Sequence, residues 1–194
     1  NFTSAFVYEL PFGKGKPMLQ SGWASKIAGG WQVNGLLAAY SGTPFSVSAS
    51  GNSLNAPGNT QRANQVKPTV AILGGTGPGQ SYFDPLAFAS VTTATFGTAG
   101  FNSIRGPGTV NFDAGLFRNF RAAEKFNIQF RAEAMNVTNT PHFANPASNV
   151  SNLQLNPDGS VRNLGGYTVI TATQGLGREG IDERLFRFGL RIMF

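Results

Sequence analysis

The stretch Phe126-Asn-Ile-Gln-Phe-Arg-Ala-Glu-Ala134 alternates strictly between apolar and polar side chains. Its even-numbered positions are Phe, Ile, Phe, Ala and Ala, and its odd-numbered positions are Asn, Gln, Arg and Glu. Side chains two residues apart share a face of a β-strand, so this stretch predicts a strand with one apolar and one polar face. The segment from Phe186 to Phe194 repeats the pattern, with Phe, Phe, Leu, Ile and Phe at its even positions.

The same period of two recurs along the chain and predicts five long strands. We expect them at residues 2–10, 31–50, 109–120, 126–138 and 184–194. The region between Lys26 and Arg62 carries no charge, but Gly29, Gly42 and Pro44 are among the residues that interrupt it. It therefore does not provide the unbroken apolar span of a transmembrane helix.

Composition and strand length favour a membrane barrel over a soluble sheet. Only 12% of the residues are charged, about half the usual share, while the chain holds 17 Phe and 25 Gly. Strands of about ten residues can cross a bilayer at a tilt, and five aromatic residues are expected near one rim of the sheet. These are Tyr8, Trp31, Phe120, Phe126 and Phe194. We predict an all-β antiparallel transmembrane β-barrel fragment, with a soluble β-sandwich as the alternative.

Link lengths predict how the strands cross the membrane. Arg121–Lys125 is a short polar link, whereas the links 51–108 and 139–183 are long and rich in Gly, Asn, Pro and Thr. Short periplasmic turns and long extracellular loops are typical of outer-membrane barrels, so we expect both long links outside the cell. A five-residue turn at 121–125 would place Gly115 opposite Arg131, with Arg131 diagonally between the carboxylates of Asp113 and Glu133. In this register we expect Arg131 and Glu133 to point into the lumen, and Phe130 and Ala132 into lipid.

Several motifs resemble those of TonB-dependent receptors of the Oar-like type. They include Tyr8–Lys16, Gly30–Gly35 and Ser41–Phe45. The strongest are Asn102-Ser-Ile-Arg-Gly-Pro-Gly108 leading into Asn111-Phe-Asp113, and Phe130-Arg-Ala-Glu-Ala134 followed by Asn139-Thr-Pro-His-Phe143.

This resemblance implies a large outer-membrane protein with a carboxypeptidase-regulatory-like N-terminal domain, a plug and a barrel of about 22 strands. Residues 1–194 would be the C-terminal part of that barrel, and the odd strand number, the absent signal peptide and the start at Asn1 are expected of a fragment. The implied function is import across the outer membrane of a Gram-negative bacterium. The implied partners are outer-membrane lipid, the TonB system and a small-molecule, peptide or oligosaccharide ligand. A structural or adhesive barrel and a soluble carbohydrate-binding module are the alternatives.

Two groups of residues are the candidate sites. Ligand contacts are expected in the long links, at aromatic, polar and basic positions: Arg62, Tyr82, Phe83, Asn102, Arg105, His142 and Arg178. The alternative is that most of them pack the loops. At the C-terminus, Arg187, Gly189, Ile192 and Phe194 resemble the β-signal that the barrel-assembly machinery binds, in which a strand adds to an exposed sheet edge.

No catalytic pattern is present. The chain has no Cys, His142 is its single histidine, and the G-x-G-x-x-G at Gly175–Gly180 is not followed by a helical pattern. Gly74–Gly79 lacks the Lys of a P-loop, and the net charge of +6 is dispersed. We therefore expect no enzyme, no cofactor, no metal and no nucleic-acid partner. Calcium binding by the loop acids Asp84, Asp158, Asp182 and Glu183 is a weaker alternative.

Overall fold

The chain folds into two compact units. The computed structural model describes residues 1–51, 60–123, 126–174 and 183–194. We call Asn1–Tyr40, Val110–Pro141 and Gly175–Phe194 the sheet unit, and Ser41–Thr109 with His142–Gln174 the loop unit.

Thirteen strands and one α-helix are found in the described residues. In chain order they are β1 (Phe2–Glu9), α1 (Gly22–Ala28), β2 (Trp31–Tyr40), β3 (Pro44–Phe45), β4 (Ser48–Ser50), β5 (Thr60–Arg62), β6 (Asn64–Gln65), β7 (Phe88–Ala89), β8 (Ile104–Arg105), β9 (Thr109–Ala123), β10 (Phe126–Met135), β11 (Gln154–Leu155), β12 (Val161–Asn163) and β13 (Leu185–Met193). Short 3-10 helices lie at Pro85–Ala87 and Val150–Asn152. Among these residues no helix is both long and apolar enough to cross a membrane.

The sheet unit holds the five long strands in the order β1-β2-β9-β10-β13. β1 pairs antiparallel with β2, and β10 pairs antiparallel with both β9 and β13. A Cβ added to Gly115 would lie 2.7 Å from Asn34 Oδ1, and one added to Gly30 would lie 3.8 Å from the Asn119 carbonyl oxygen, so β2 and β9 also run antiparallel. The prediction of five long antiparallel strands is confirmed. Within the described residues the sheet is open, with β1 and β13 at its edges.

Register places one apolar set of side chains on a single face of this sheet. Phe130 pairs with Leu190, Ala132 pairs with Phe188, and Ile128 pairs with Phe120 and Ile192. Directly paired residues of antiparallel strands share a face. The exposed fractions of Phe188 (74%) and Leu190 (66%) show that the described residues leave this part of the apolar face uncovered.

The opposite face carries polar side chains, but the predicted contacts of Arg131 are wrong. Gly115 pairs with Glu133, and Arg131 lies opposite Phe117 and Gly189, because β9 continues to Ala123, past its predicted end at Phe120. The register is therefore shifted by two residues, which preserves the face of every side chain. Arg131 donates from Nε to Gln129 Oε1 (2.7 Å) and lies 5.6 Å from the centre of the Phe117 ring, so it is not set between carboxylates.

The predicted strand 31–50 is also wrong in length, because β2 ends at Tyr40. A side chain at Gly42 would lie 1.7 Å from the carbonyl oxygen of Gly106, so only glycine fits where these two backbones meet. The chain leaves the long sheet there, and the following residues join the loop unit through β3 and β4.

The loop unit has its own hydrophobic core. Its buried side chains come from both long connections and include Val47, Phe83, Phe88, Val150 and Tyr167. Phe83 packs edge-on against Tyr167 at 5.4 Å between ring centres, and the Tyr82 N–H donates to the Thr168 carbonyl oxygen at 2.8 Å. The two connections therefore build one folded body rather than two separate loops.

Candidate ligand-binding surface

The segment from Pro44 to Ser50 forms one wall of the loop unit. Phe45, Val47 and Ala49 are buried in the core, whereas Pro44, Ser46 and Ser48 point the other way. Burial at alternate positions follows from extended backbone, in which successive side chains point to opposite faces.

Three of the predicted ligand-binding residues follow the outer side of this segment. Arg105 pairs with Pro44 in the β3–β8 ladder, and Arg62 pairs with Ser48 in the β4–β5 ladder. Between them, the Asn102 N–H donates to Ser46 Oγ at 2.8 Å. We call Arg62, Asn102 and Arg105 the outer row.

The outer row is exposed and positively charged. Pro44 and Ser48 are four residues apart in extended chain, so the backbones that carry Arg105 and Arg62 are separated by about 13 Å. Arg105 is held in part by a hydrogen bond from Nη1 to the Gly42 carbonyl oxygen (3.2 Å), and all three residues are exposed to solvent. Guanidinium groups donate in pairs to carboxylates, phosphates and sulfates, so the row suits an elongated ligand with anionic groups.

Other predicted residues lie inside the loop unit instead. Phe83 is completely buried, and Tyr82 and His142 have exposed fractions of 8% and 3%. Burial raises the pKa of Tyr82 and keeps it a neutral phenol. In the folded loop unit these three side chains are packing residues, which was the alternative interpretation of the sequence.

Some expected features fall on residues that the structure does not describe. Arg178, the G-x-G-x-x-G motif at Gly175–Gly180 and the acid Asp182 lie outside the described residues. In the described ranges, no three His, Asp or Glu side chains are grouped closely enough to hold a metal ion.

An ion pair and a buried tyrosine lie within the loop unit. Lys67 Nζ lies 2.5 Å from Asp84 Oδ2, and Asp84 Oδ1 accepts a hydrogen bond from the Leu86 N–H at 2.9 Å. Burial opposes ionisation of Asp84, but these hydrogen bonds and the Lys67 charge outweigh it and lower the pKa of the carboxyl. Tyr167 is fully buried, and burial, followed by the Asp84 charge, raises the pKa of its hydroxyl strongly.

The predicted assembly signal lies on β13, at the edge of the sheet, and on Phe194, the residue that follows it. Arg187 pairs with Glu133, Gly189 with Arg131 and Ile192 with Ile128, while Phe194 is 97% exposed. A Cβ added to Gly189 would meet only the Arg131 Cβ, at 3.9 Å, which is an ordinary contact. The glycine is therefore not required by crowding in the folded sheet.

Arg62 and Arg105 were predicted as ligand-binding residues because they are basic. Their alignment along the segment from Pro44 to Ser50 was not predicted. The signal was available, because Phe45, Val47 and Ala49 alternate with polar residues, and partners of the polar positions must then lie on the outside.

Comparison with known families agrees with this architecture. The family model described as outer membrane beta barrel domain matches residues 1–180. No curated protein and no solved structure matches the chain. The match decides between the two fold expectations in favour of the membrane barrel over the soluble sandwich. The chain belongs to the outer membrane beta barrel domain family, and its long strands form part of a barrel wall in the bacterial outer membrane.

Proposed function

We propose that this chain supplies barrel wall and extracellular loops to a TonB-dependent transporter that imports a ligand bound at the outer row. The observation that carries the proposal is the joint core of the two long connections. Both connections leave and re-enter the sheet at one end, because neighbouring strands are antiparallel. Because the two connections share one core, they present their exposed residues on a single folded body, which is suited to holding a ligand.

The chemistry of the outer row supports a ligand of a particular class. Two arginines whose backbones are about 13 Å apart, with Asn102 and Ser46 between them, match an elongated anionic ligand such as an acidic oligosaccharide or acidic peptide. The proposal gives these residues a binding role and assigns no reaction to the chain. TonB would act through a plug and N-terminal segment elsewhere in the protein.

Cysteine labelling tests the orientation that the proposal needs. The chain has no native Cys, so single cysteines can be placed at exposed positions without background. We expect Arg162→Cys, on β12 of the loop unit, to react with a membrane-impermeant maleimide on intact cells. Gln20→Cys, on the β1–β2 link, is the matched control and should react only after the outer membrane is opened. Labelling of Gln20→Cys on intact cells would contradict the orientation.

Conductance of the full-length protein tests the transporter against a non-transporting barrel. A plugged barrel in a planar bilayer should conduct little until urea releases the plug, and it should close again when urea is withdrawn. A steadily open pore that urea does not change would contradict the proposal and favour a structural barrel without a plug.

A further inference from the structure

The link between β1 and β2 presents an unusual helix. In α1, Trp23 and Ile27 are four residues apart, on one side of the helix, and their exposed fractions are 77% and 60%. The small residues Ala24, Ser25 and Ala28 occupy the other side and are half-buried. A helix in contact with water normally turns its large apolar side chains inward, so this arrangement fits an apolar surrounding.

Two side chains from the apolar face of the sheet fix α1 in place. Arg118 donates from Nη1 to the Ile27 carbonyl oxygen at 2.7 Å and from Nη2 to the Lys26 carbonyl oxygen. The Trp31 indole N–H also donates to the Ile27 carbonyl oxygen, at 3.0 Å. These bonds satisfy carbonyl groups at the C-terminal end of the helix, where a positive charge is also favourable.

Arg118 and Trp31 also connect α1 to the surface that faces lipid. The Arg118 guanidinium lies over the rings of Trp31 (5.3 Å) and Phe120 (4.2 Å), and Trp31 meets Phe130 edge-on at 6.0 Å. These rings belong to the apolar face of the barrel wall. They lie at the end of the sheet where β9 connects to β10, which we call the turn end. The exposed side of α1 is therefore continuous with the membrane-facing surface, in the position of an interfacial helix.

A basic cleft lies beside the helix. It has a volume of about 530 Å³, and its lining includes Lys14, Lys16, Lys26, Gln20 and Ser25. Residues 11–30 contain these three lysines and no acidic residue. The nearby Glu9 carboxylate is held by Lys16 at 2.5 Å, which leaves the charges of Lys14 and Lys26 to act on a bound group.

We propose that this cleft binds the headgroup of an anionic phospholipid in the leaflet at the turn end of the barrel, with Trp23 and Ile27 inserted among the acyl chains. A phosphate charge in the cleft complements Lys14 and Lys26, and each lysine near an anionic surface strengthens attraction by about fivefold. The assignment of the leaflet rests on the orientation in the proposed function, but the binding of the lipid does not depend on transport.

Titration of the full-length barrel in neutral detergent tests the proposal. The probes are short-chain phosphatidylglycerol, short-chain phosphatidylcholine and inorganic phosphate. The signal is Trp fluorescence, with Trp23→Phe identifying the contribution of Trp23. We expect tighter binding of phosphatidylglycerol than of phosphatidylcholine, with a blue shift from Trp23 and no such shift with inorganic phosphate.

Matched variants assign the effect to the cleft. Lys14→Gln with Lys26→Gln should weaken phosphatidylglycerol binding by roughly thirtyfold. Lys14→Arg with Lys26→Arg should keep it, and Arg162→Gln with Arg184→Gln, which removes two exposed charges outside the lining of the cleft, should not change it. Equal binding of the two lipids, unchanged binding by the Lys→Gln pair, or a full response to inorganic phosphate would each overturn the proposal. Such a result would leave the conductance test of the transporter unaffected.

Discussion

The carboxylate of Asp113 on β9 accepts a hydrogen bond from the backbone N–H of Asn136, the residue that follows β10, at 2.8 Å. Asn136 is fully buried and has a positive φ of 47°, a conformation that Asn tolerates better than most residues. Its side chain in turn accepts from the Thr140 N–H and donates to the Thr140 carbonyl oxygen, both at 3.0 Å. One carboxylate therefore helps to fix the place where the chain leaves the barrel wall.

Replacing this carboxylate should destabilise the barrel. We expect Asp113→Ala to lower the free energy of unfolding by about 1–3 kcal/mol, because it leaves the buried Asn136 N–H without its acceptor. Asp113→Asn keeps an oxygen at that position and is the matched control, with a smaller loss. The measurement is urea-induced unfolding of the refolded full-length barrel, followed by its heat-modifiable migration. Equal stability of the Ala and Asn variants would contradict this role.

The β13 residues should affect assembly more than stability. Gly189→Ala places a methyl group in open contact with Arg131 Cβ, so we expect the unfolding free energy of the folded barrel to change by less than about 0.5 kcal/mol. If Gly189 and Phe194 belong to the β-signal, Gly189→Ala and deletion of Phe194 should both lower the yield of heat-modifiable barrel in cells.

Phe101→Ala is the control for that experiment, since Phe101 is also a highly exposed phenylalanine (76%) but lies in the loop unit. Its yield should match that of the unchanged protein. Unchanged yield after deletion of Phe194 would remove support for an assembly signal at this position.

Acid should weaken the loop unit through Asp84. Its pKa in the folded protein lies below the ordinary value of 3.8, so its stabilising contribution is fully present above pH 3.8 and is lost as the pH falls through the lower, folded-state value. We expect the free energy of unfolding to fall by about 1 kcal/mol or less, because Lys67 is nearly half exposed and solvent screens the ion pair.

Hydrogen exchange of the Ala87 amide, corrected for its intrinsic rate, should report this loss, and Asp84→Asn should remove it. Asp158→Asn is the control, because Asp158 lies at the exposed β11–β12 turn and accepts hydrogen bonds from Ser160 rather than from Lys67. The same acid sensitivity in the Asp84→Asn protein would show that another group is responsible.

The buried hydroxyl of Tyr167 should be dispensable, although its ring is not. No hydrogen-bond partner for the Tyr167 hydroxyl is found in the described residues, so Tyr167→Phe should leave the loop unit as stable or more stable. Tyr167→Ala removes the ring that packs against Phe83 and should cost about 3–5 kcal/mol. The protease resistance of the loop unit should be measured for both variants. A large loss of resistance in Tyr167→Phe would contradict the prediction that the hydroxyl is dispensable.

The sequence was sufficient for the strands and their faces, because alternation with a period of two depends only on local side chains. It did not give the Gly115–Glu133 register, since a shift of two residues changes every pair of partners without changing the face of any side chain. The helix α1 was missed because seven residues with no side-chain cap carry little periodic signal. The loop core was missed because Phe45, Val47 and Ala49 continue the alternation of β2 past Tyr40.

The alternation from Pro44 to Ser50 also bears on how such an outer-membrane protein can change over generations. Proteins on the bacterial surface are targets for phages and antibodies, and escape requires new side chains on the outside. Pro44, Ser46 and Ser48 can be exchanged while Phe45, Val47 and Ala49 keep the core intact. Because the core draws on both connections, a change in the shape of one must be matched by the other, so we expect the two segments to diversify together.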